Sequence, residues 1–502
     1  MKNGSRLAAV VLSVALLWLS GCAGASYYRD LKFDEHYELV GDQPLSHKEA
    51  AQTKAYRMSE KRGVTHIRFL DAGRPVLEPR FGVAEIRMRD EDGKRIYEFL
   101  NHLGLPMPSG RLHRIVFERN TTGQTVARRN LNHLGFPVRD ERGVATYRFG
   151  LDKAGRVVEV FFEGRDGQPT RDNDGVASLK IEYDLKNRPV RVTHGDESGK
   201  PIVNRGGIAM RWWEYDSEGR LAASSTHGLN QLMVNGQTTG FAQVRFEYNK
   251  AGMEASRRFL DAQGEPAVDR RIGANRVQRW YDEIGNVVME SYLDAAGQAV
   301  VRPELGAARV AWTRDEKGRI TAEEFFGVDQ QPCAGRGSGA MRIEWKFNAA
   351  GLPVRQSFHG LNGPVAHAVT GVAAILWEYG SHGEVTREQY RDAADKPATR
   401  RDSGVAEIRY LYNKSGYRTH VASYGPENEL RAIRGLGFAQ TVTTYDRFGN
   451  IVERRYLSAK GHLVDHPVYA YAVAVVEYDT LGYVVKTEYR NAAGHLVRVE
   501  QP

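Results

Sequence analysis

The sequence predicts an all-β protein: tandem β-hairpin repeats of about 33 residues, stacked into an extended or curled antiparallel sheet or solenoid. Three observations lead there. A glycine-led motif recurs at a nearly constant step, copies open with apolar–polar alternation, and the alternating run ends in a turn of Tyr-Asp-x-x-Gly type.

The step comes first. Gly-Phe-Ala-Gln-Val-Arg-Phe-Glu-Tyr-Asn-Lys-Ala-Gly begins at Gly240, and related copies begin at Gly404 and Gly437. The same start recurs at Gly143, Gly175, Gly207, Gly273, Gly306, Gly339, Gly371 and Ala470, at steps of 32 or 33 residues. Shorter copies begin near Gly63 and Gly82, giving about thirteen units. Within a unit the alternate positions are apolar, as in Ala242, Val244, Phe246 and Tyr248, with Gln243, Arg245 and Glu247 between them. Period two places the first set on one face of a strand and the second on the other.

The turn follows in Tyr215-Asp216-x-x-Gly219, Tyr281-Asp282-x-x-Gly285 and Tyr445-Asp446-x-x-Gly449, with Asn249, Asn348 and Asn413 in place of Asp elsewhere. Asp or Asn caps nearby amides, and Gly supplies the positive φ. Seven residues past the turn glycine stands an aromatic, among them Phe162, Phe259, Tyr292, Phe325, Phe358, Tyr390, Tyr456 and Tyr489, expected to pack between units. A second turn glycine often follows, as at Gly264 and Gly461. One hairpin cannot bury its apolar face alone, whereas stacked hairpins can.

The N-terminus has its own chemistry. Lys2 and Arg6 precede an apolar run from Leu7 to Leu19, too short for a membrane span and suited to a signal peptide. It ends in Leu19-Ser20-Gly21-Cys22, which resembles the lipobox of bacterial lipoproteins. The resemblance implies diacylglyceryl on the Cys22 thiol, cleavage before it, and acylation of the new N-terminus. Ala23 follows, not Asp, which in a Gram-negative source resembles proteins forwarded to the outer membrane. The expected organisation is a signal peptide over 1–21, a lipidated tether over 22–45, degenerate repeats over 46–142 and regular repeats over 143–502. The stretch 46–61 reads either as a helix or as a degenerate first strand. With Cys22 lipidated, Cys333 is left alone in a turn-like stretch and no internal disulfide forms.

The Tyr-Asp-x-x-Gly-Asn turns at Tyr281–Asn286 and Tyr445–Asn450 resemble the YD repeats of the RHS and teneurin families. The resemblance spans about residues 63–497 and implies a β-strand shell or spiral. In toxins of that class the shell encloses a toxic C-terminal domain. Here the unit is longer and starts with Gly-x-Ala. No cargo domain or Asp-Pro-x-Gly autocleavage-like signature is seen, and a toxin role is not expected.

No zinc-helix, Cys-x-x-Cys, Gly-x-Ser-x-Gly or P-loop pattern occurs. Asp90-Glu91-Asp92-Gly93 and Asp172-Asn173-Asp174-Gly175 lack full calcium-loop spacing and read as turns. Gly335-Arg336-Gly337-Ser338-Gly339 leads into a strand and reads as a connector, and His133 and His367 read as solvated. The expectation is therefore no enzyme, no metal and no cofactor. Lys and Arg exceed Asp and Glu by 70 − 62 = 8 without a dense basic block, so no nucleic-acid partner is expected. The expected role is a lipid-anchored envelope module, held to the membrane by its lipid and binding or scaffolding a protein. A glycan-binding array and, behind it, an enzyme with a loop-borne site are the alternatives. Aromatics fall mainly on the inward parity, which reads as core, although Trp212 lies outward beside inward Trp213.

Overall fold

A computed structural model of the chain describes residues 24–79, 82–107 and 112–501. Leu19, Ser20, Gly21 and Cys22 lie outside the described residues. The described residues form thirty-three strands in one antiparallel sheet, with a single short helix, His47–Ala50.

Each regular unit is one hairpin with the same register. In Met210–Tyr215 and Leu221–His227 the pairing runs from Met210↔His227 to Glu214↔Ala223, then slips to Tyr215↔Leu221. The same slip recurs in neighbouring hairpins at Tyr183, Tyr248 and Tyr281. A bulge of this kind twists the strand and re-aims the side chain at the slip, here the tyrosine. Consecutive units pair over only three residues, as in Ala223↔Arg245 to Ser225↔Gln243. Strands thus run together for six pairs inside a unit and for three between units. They splay beyond that point, and the connectors fill the opening.

The glycine-led start has a packing reason. Ala177, Ala209 and Ala242, two residues past the leading glycine, are at most 1% exposed. Their amides donate to the last carbonyl of the unit's second strand, as in Ala209 N to His227 O at 2.8 Å. The aromatics past the turn form the core. Tyr292, Tyr390, Phe162, Phe259 and Phe358 are all buried, and Phe325 and Phe358 of adjacent units share one cluster with Val310 and Ile343. Two units place a hydroxyl there instead. Thr226 donates to Val234 O and Ser423 to Arg431 O, both at 2.7 Å.

The N-terminal region departs from the expected tether. Residues 26–45 are the strands Ser26–Phe33 and Leu39–Leu45, which form a hairpin with each other, and Ser26–Phe33 also pairs with Lys54–Lys61. Burial explains it: Leu31 is in the core, and Phe33 and Tyr37 pack on Phe117. The stretch 46–61 resolves into both of its readings. A capping box between Ser46 and Glu49 starts one helical turn, and Lys54–Lys61 is a strand. The regular hairpin with its slip is already present in Arg114–Arg119 and Thr125–Leu131, one unit ahead of position 143.

Truncating Phe358 to alanine should cost about 3–5 kcal/mol. Because units stack on nearest neighbours, amide-exchange protection should fall in the units of Phe325, Phe358 and Tyr390 and stay unchanged near Phe162.

Candidate binding face

The turn residues singled out in the sequence build a chain of contacts from unit to unit. The Asp216 carboxylate accepts from the Glu218 and Arg220 amides with one oxygen and from Arg220 Nε at 2.7 Å with the other. The Arg220 guanidinium lies 4.6 Å from the ring centroid of Tyr248 in the next unit. The Tyr248 hydroxyl then donates back to Leu221 O at 2.8 Å. Tyr215 donates in the same way to Pro189 O, Tyr281 to Glu254 O and Tyr445 to Arg418 O, always 26 or 27 residues back. Burial raises the pKa of all three phenols, which keeps them protonated as donors. Gly219, Gly285 and Gly449 sit at φ of +85°, +89° and +88°, closing their turns. Where Arg314 replaces tyrosine, its guanidinium donates to Val287 O at 3.3 Å. Sequence reasoning saw the turn but missed this staple, whose partner lies a whole unit upstream.

A second feature joins residues far apart in the chain. Asn101-His102-Leu103-Gly104 and Asn132-His133-Leu134-Gly135 are near-copies. Asn101 Nδ2 donates to Ser415 O and Asn132 Nδ2 to Leu481 O, each at 2.6 Å. Tyr417 donates to Pro106 O, and Arg29 to Ile284 O. The array therefore coils back on itself, and its N-terminal loops dock on later turns. The contacts join residues 255, 314 and 349 apart, which at a step of about 33 is about eight to eleven units. A side chain at Gly482 would meet Asn132 Nδ2 at 2.7 Å. A cavity of about 530 Å³ lies in this seam, lined by Tyr417, Tyr445, Tyr483, Arg139 and Arg165 among others.

His133 is only partly exposed. It stacks on Phe448 with centroids 4.0 Å apart and neighbours His113 at 5.2 Å. His367 caps a connector, its Nδ1 accepting from the Val369 and Thr370 amides. Cys333 is partly buried, and burial pushes its thiol pKa up, away from the reactive thiolate. Asp172 accepts from the Asp174 and Val176 amides, and Asp90 pairs with Arg95, so the acidic stretches cap turns or pair with arginine. Arg336 of the glycine-rich connector donates to Pro303 O, 33 residues back. No cluster of three metal-ligating side chains occurs among the described residues.

The third feature is a row of rings. Trp213, Phe246, Trp312, Trp345, Trp377 and Tyr410 occupy the sixth position after the leading glycine in their units, and all are half-buried. This is the inward parity, expected to be core. The buried part of the first strand is its beginning, as at Ala209 and Val310, while the ring end remains open. Polar groups stand across the strand from these rings. Trp312 Nε1 donates to Glu323 and Trp377 Nε1 to Glu388, each at 3.0 Å, and Trp345 faces Gln356. Arg279 takes the ring position in one unit and pairs with Glu290 at 2.8 Å. Burial raises the pKa of the Glu323 carboxyl, with the Trp312 hydrogen bond opposing. Two cavities of about 490 and 360 Å³ open along this stretch and share Glu304. Outward Trp212 is occupied by His227, stacked at 4.1 Å.

No protein-family model and no curated protein matches the chain. Solved structures do. A crystal structure of TcdB2-TccC3-TEV matches over 95% of the chain at 12% identity and a TM-score of 0.40. One of TcdB2-TccC3-Cdc42 matches over 95% at 13% identity and a TM-score of 0.38. The chain spans about a quarter of the length of those chains, 25% in each case.

Two outcomes follow. Tyr215→Phe and Tyr281→Phe should each lower stability by about 1 kcal/mol in chemical denaturation, and the double variant by about the sum, because the sites lie two units apart. The seam should respond to acid. Burial first, then His113, Arg114 and Arg447, hold His133 below the ordinary histidine value of 6.5, with Asp446 opposing. A lowered folded value means that the contribution is full above 6.5 and is lost as pH falls through the folded value. Amide protection at Gly449 and Gly482 should therefore drop as the pH falls below 6.5, and that drop should vanish in His133→Asn.

Proposed function

We propose that this protein is a lipid-anchored β-repeat scaffold of the bacterial cell envelope, attached through Cys22 and presenting its array to a protein partner. The observation that carries the reading is the unit-to-unit staple. Tyr215, Tyr281 and Tyr445 each tie one hairpin to the one before. Such an array holds many near-equivalent surfaces in fixed order, which suits extended contact and not a single reaction centre. The Leu19-Ser20-Gly21-Cys22 resemblance supports the anchor. Two or three acyl chains hold such a chain at a membrane, since each buried CH₂ contributes about 0.8 kcal/mol. Under this reading the outer membrane is the site in a Gram-negative cell, no residue is catalytic, and no cofactor is needed.

The test is expression of the full chain and of Cys22→Ser with an alkyne-tagged fatty acid, followed by fractionation and crosslinking. The wild type should carry the tag, sediment with membranes and recover a recurrent protein partner. Cys22→Ser should lose all three. An untagged wild type, or a variant that still sediments, would remove the lipid anchor from this reading. A tagged wild type that recovers no recurrent protein would remove the protein partner.

A further inference from the structure

The row of half-buried rings has a regular spacing. Units repeat every second strand, so successive rings stand about 9–10 Å apart across the sheet. Trp213, Phe246, Trp312, Trp345, Trp377 and Tyr410 share one face, broken only where Arg279 takes the position. Beside the rings lie planar polar groups: the Glu323 and Glu388 carboxylates and the Gln356 amide, each paired across the strand with a tryptophan. The Nε atom of Arg302, which lines the larger of the two cavities, is buried with no hydrogen-bond partner among the described residues, while that of Arg257 in the same lining lies 3.7 Å from the Glu254 carboxylate. Buried donors left open in this way are satisfied by a ligand or by water.

We infer that this face binds a linear, uncharged glycan of β-linked hexopyranoses, laid across the strands with sugar rings stacked on the aromatic row. The inference rests on the reading of the array as a binding module and names a ligand for one of its faces.

Three features select this class. Aromatic rings offer flat apolar platforms, and a β-linked chain is a flat ribbon that presents ring faces at regular intervals, close to the unit spacing for each disaccharide. Carboxylates, amides and guanidinium groups beside the rings are the donors and acceptors that hydroxyls need. Charges of both signs are interleaved, with Arg279 on Glu290 and Arg302 within 4.0 Å of the same carboxylate, so no net field selects a polyanion. An extended peptide fits less well. The strands of this stretch are hydrogen-bonded on both sides, leaving no edge for an added strand.

The test uses the full chain with Cys22→Ser to keep it free of detergent, titrated with β-1,4-linked oligosaccharides of glucose and of N-acetylglucosamine. Tryptophan fluorescence and calorimetry are the readouts. At least one hexasaccharide should bind, and the disaccharide should bind at least about tenfold more weakly, because only a long chain spans several units. Trp345→Ala should weaken the hexasaccharide about five- to tenfold and Trp345→Phe much less. Trp280→Ala, on the opposite parity, should leave affinity unchanged. No binding of either hexasaccharide, equal affinity for disaccharide and hexasaccharide, or an equal loss in Trp280→Ala would overturn the proposal. Far-ultraviolet dichroism separates a misfolded variant from a binding defect. Lipid tagging and protein crosslinking of Trp345→Ala in the membrane-bound chain report on the scaffold separately, so either reading can fail while the other stands.

Discussion

The hydrogen bond from a turn tyrosine to a carbonyl of the preceding unit is the contact on which the array depends. Backbone pairing between units covers three residues, half of what holds each hairpin together. A junction so short needs a side-chain supplement. Tyrosine supplies it from a bulge that directs its ring toward the previous hairpin, where, for Tyr215 and Tyr248, an arginine clamped by its own turn aspartate lies against it. In Asp216, Arg220 and Tyr248 one turn serves two purposes: it closes its own hairpin and prepares the landing site for the next. The recurrence of Tyr and Asp side by side follows from that double duty.

Much of this was legible in the sequence, and the part that was not has a physical reason. Period-two alternation fixes which residues share a face, so the hairpins, their turns and the buried aromatics at Tyr292 and Tyr390 could be read directly. Proximity to Cys22 obscured the alternating Tyr27, Leu31 and Phe33; Leu31 is buried and the other two half-buried, which makes a strand of a presumed tether. Parity alone also could not separate the closed beginning of a strand from its open end: Trp312 and Trp345 pack against the core cluster, as their parity implies, but remain only half-buried.

Curling was one of the two arrangements the repeats allow, but where the array meets itself was not legible, for a different reason. Splay between strands is a property of pairing length, and no local pattern encodes it. Asn101 and Asn132 look like ordinary turn asparagines. Each one caps its own loop with Oδ1, as Asn101 does for the Leu103 and Leu105 amides, and spends Nδ2 on a carbonyl more than 300 residues away. The duplicated Asn-His-Leu-Gly was the available signal, since two equal motifs one unit apart suggest two equal partners. The partners are the turns at Gly416 and Gly482, two units apart.

That seam also counts. Along most of a repeat array a whole unit can be gained or lost at little cost, since each hairpin meets only its neighbours. Between Asn132 and Leu481 this freedom disappears. One added hairpin would carry the turns at Gly416 and Gly482 past the loops that receive them, and one deleted hairpin would stop them short. The length of this part of the chain is therefore set by closure of the coil. An indel of a full period anywhere between Arg29 and Leu481 would shift one or more of these long-range contacts out of register, and circumference, not local stability, is the quantity this span must keep.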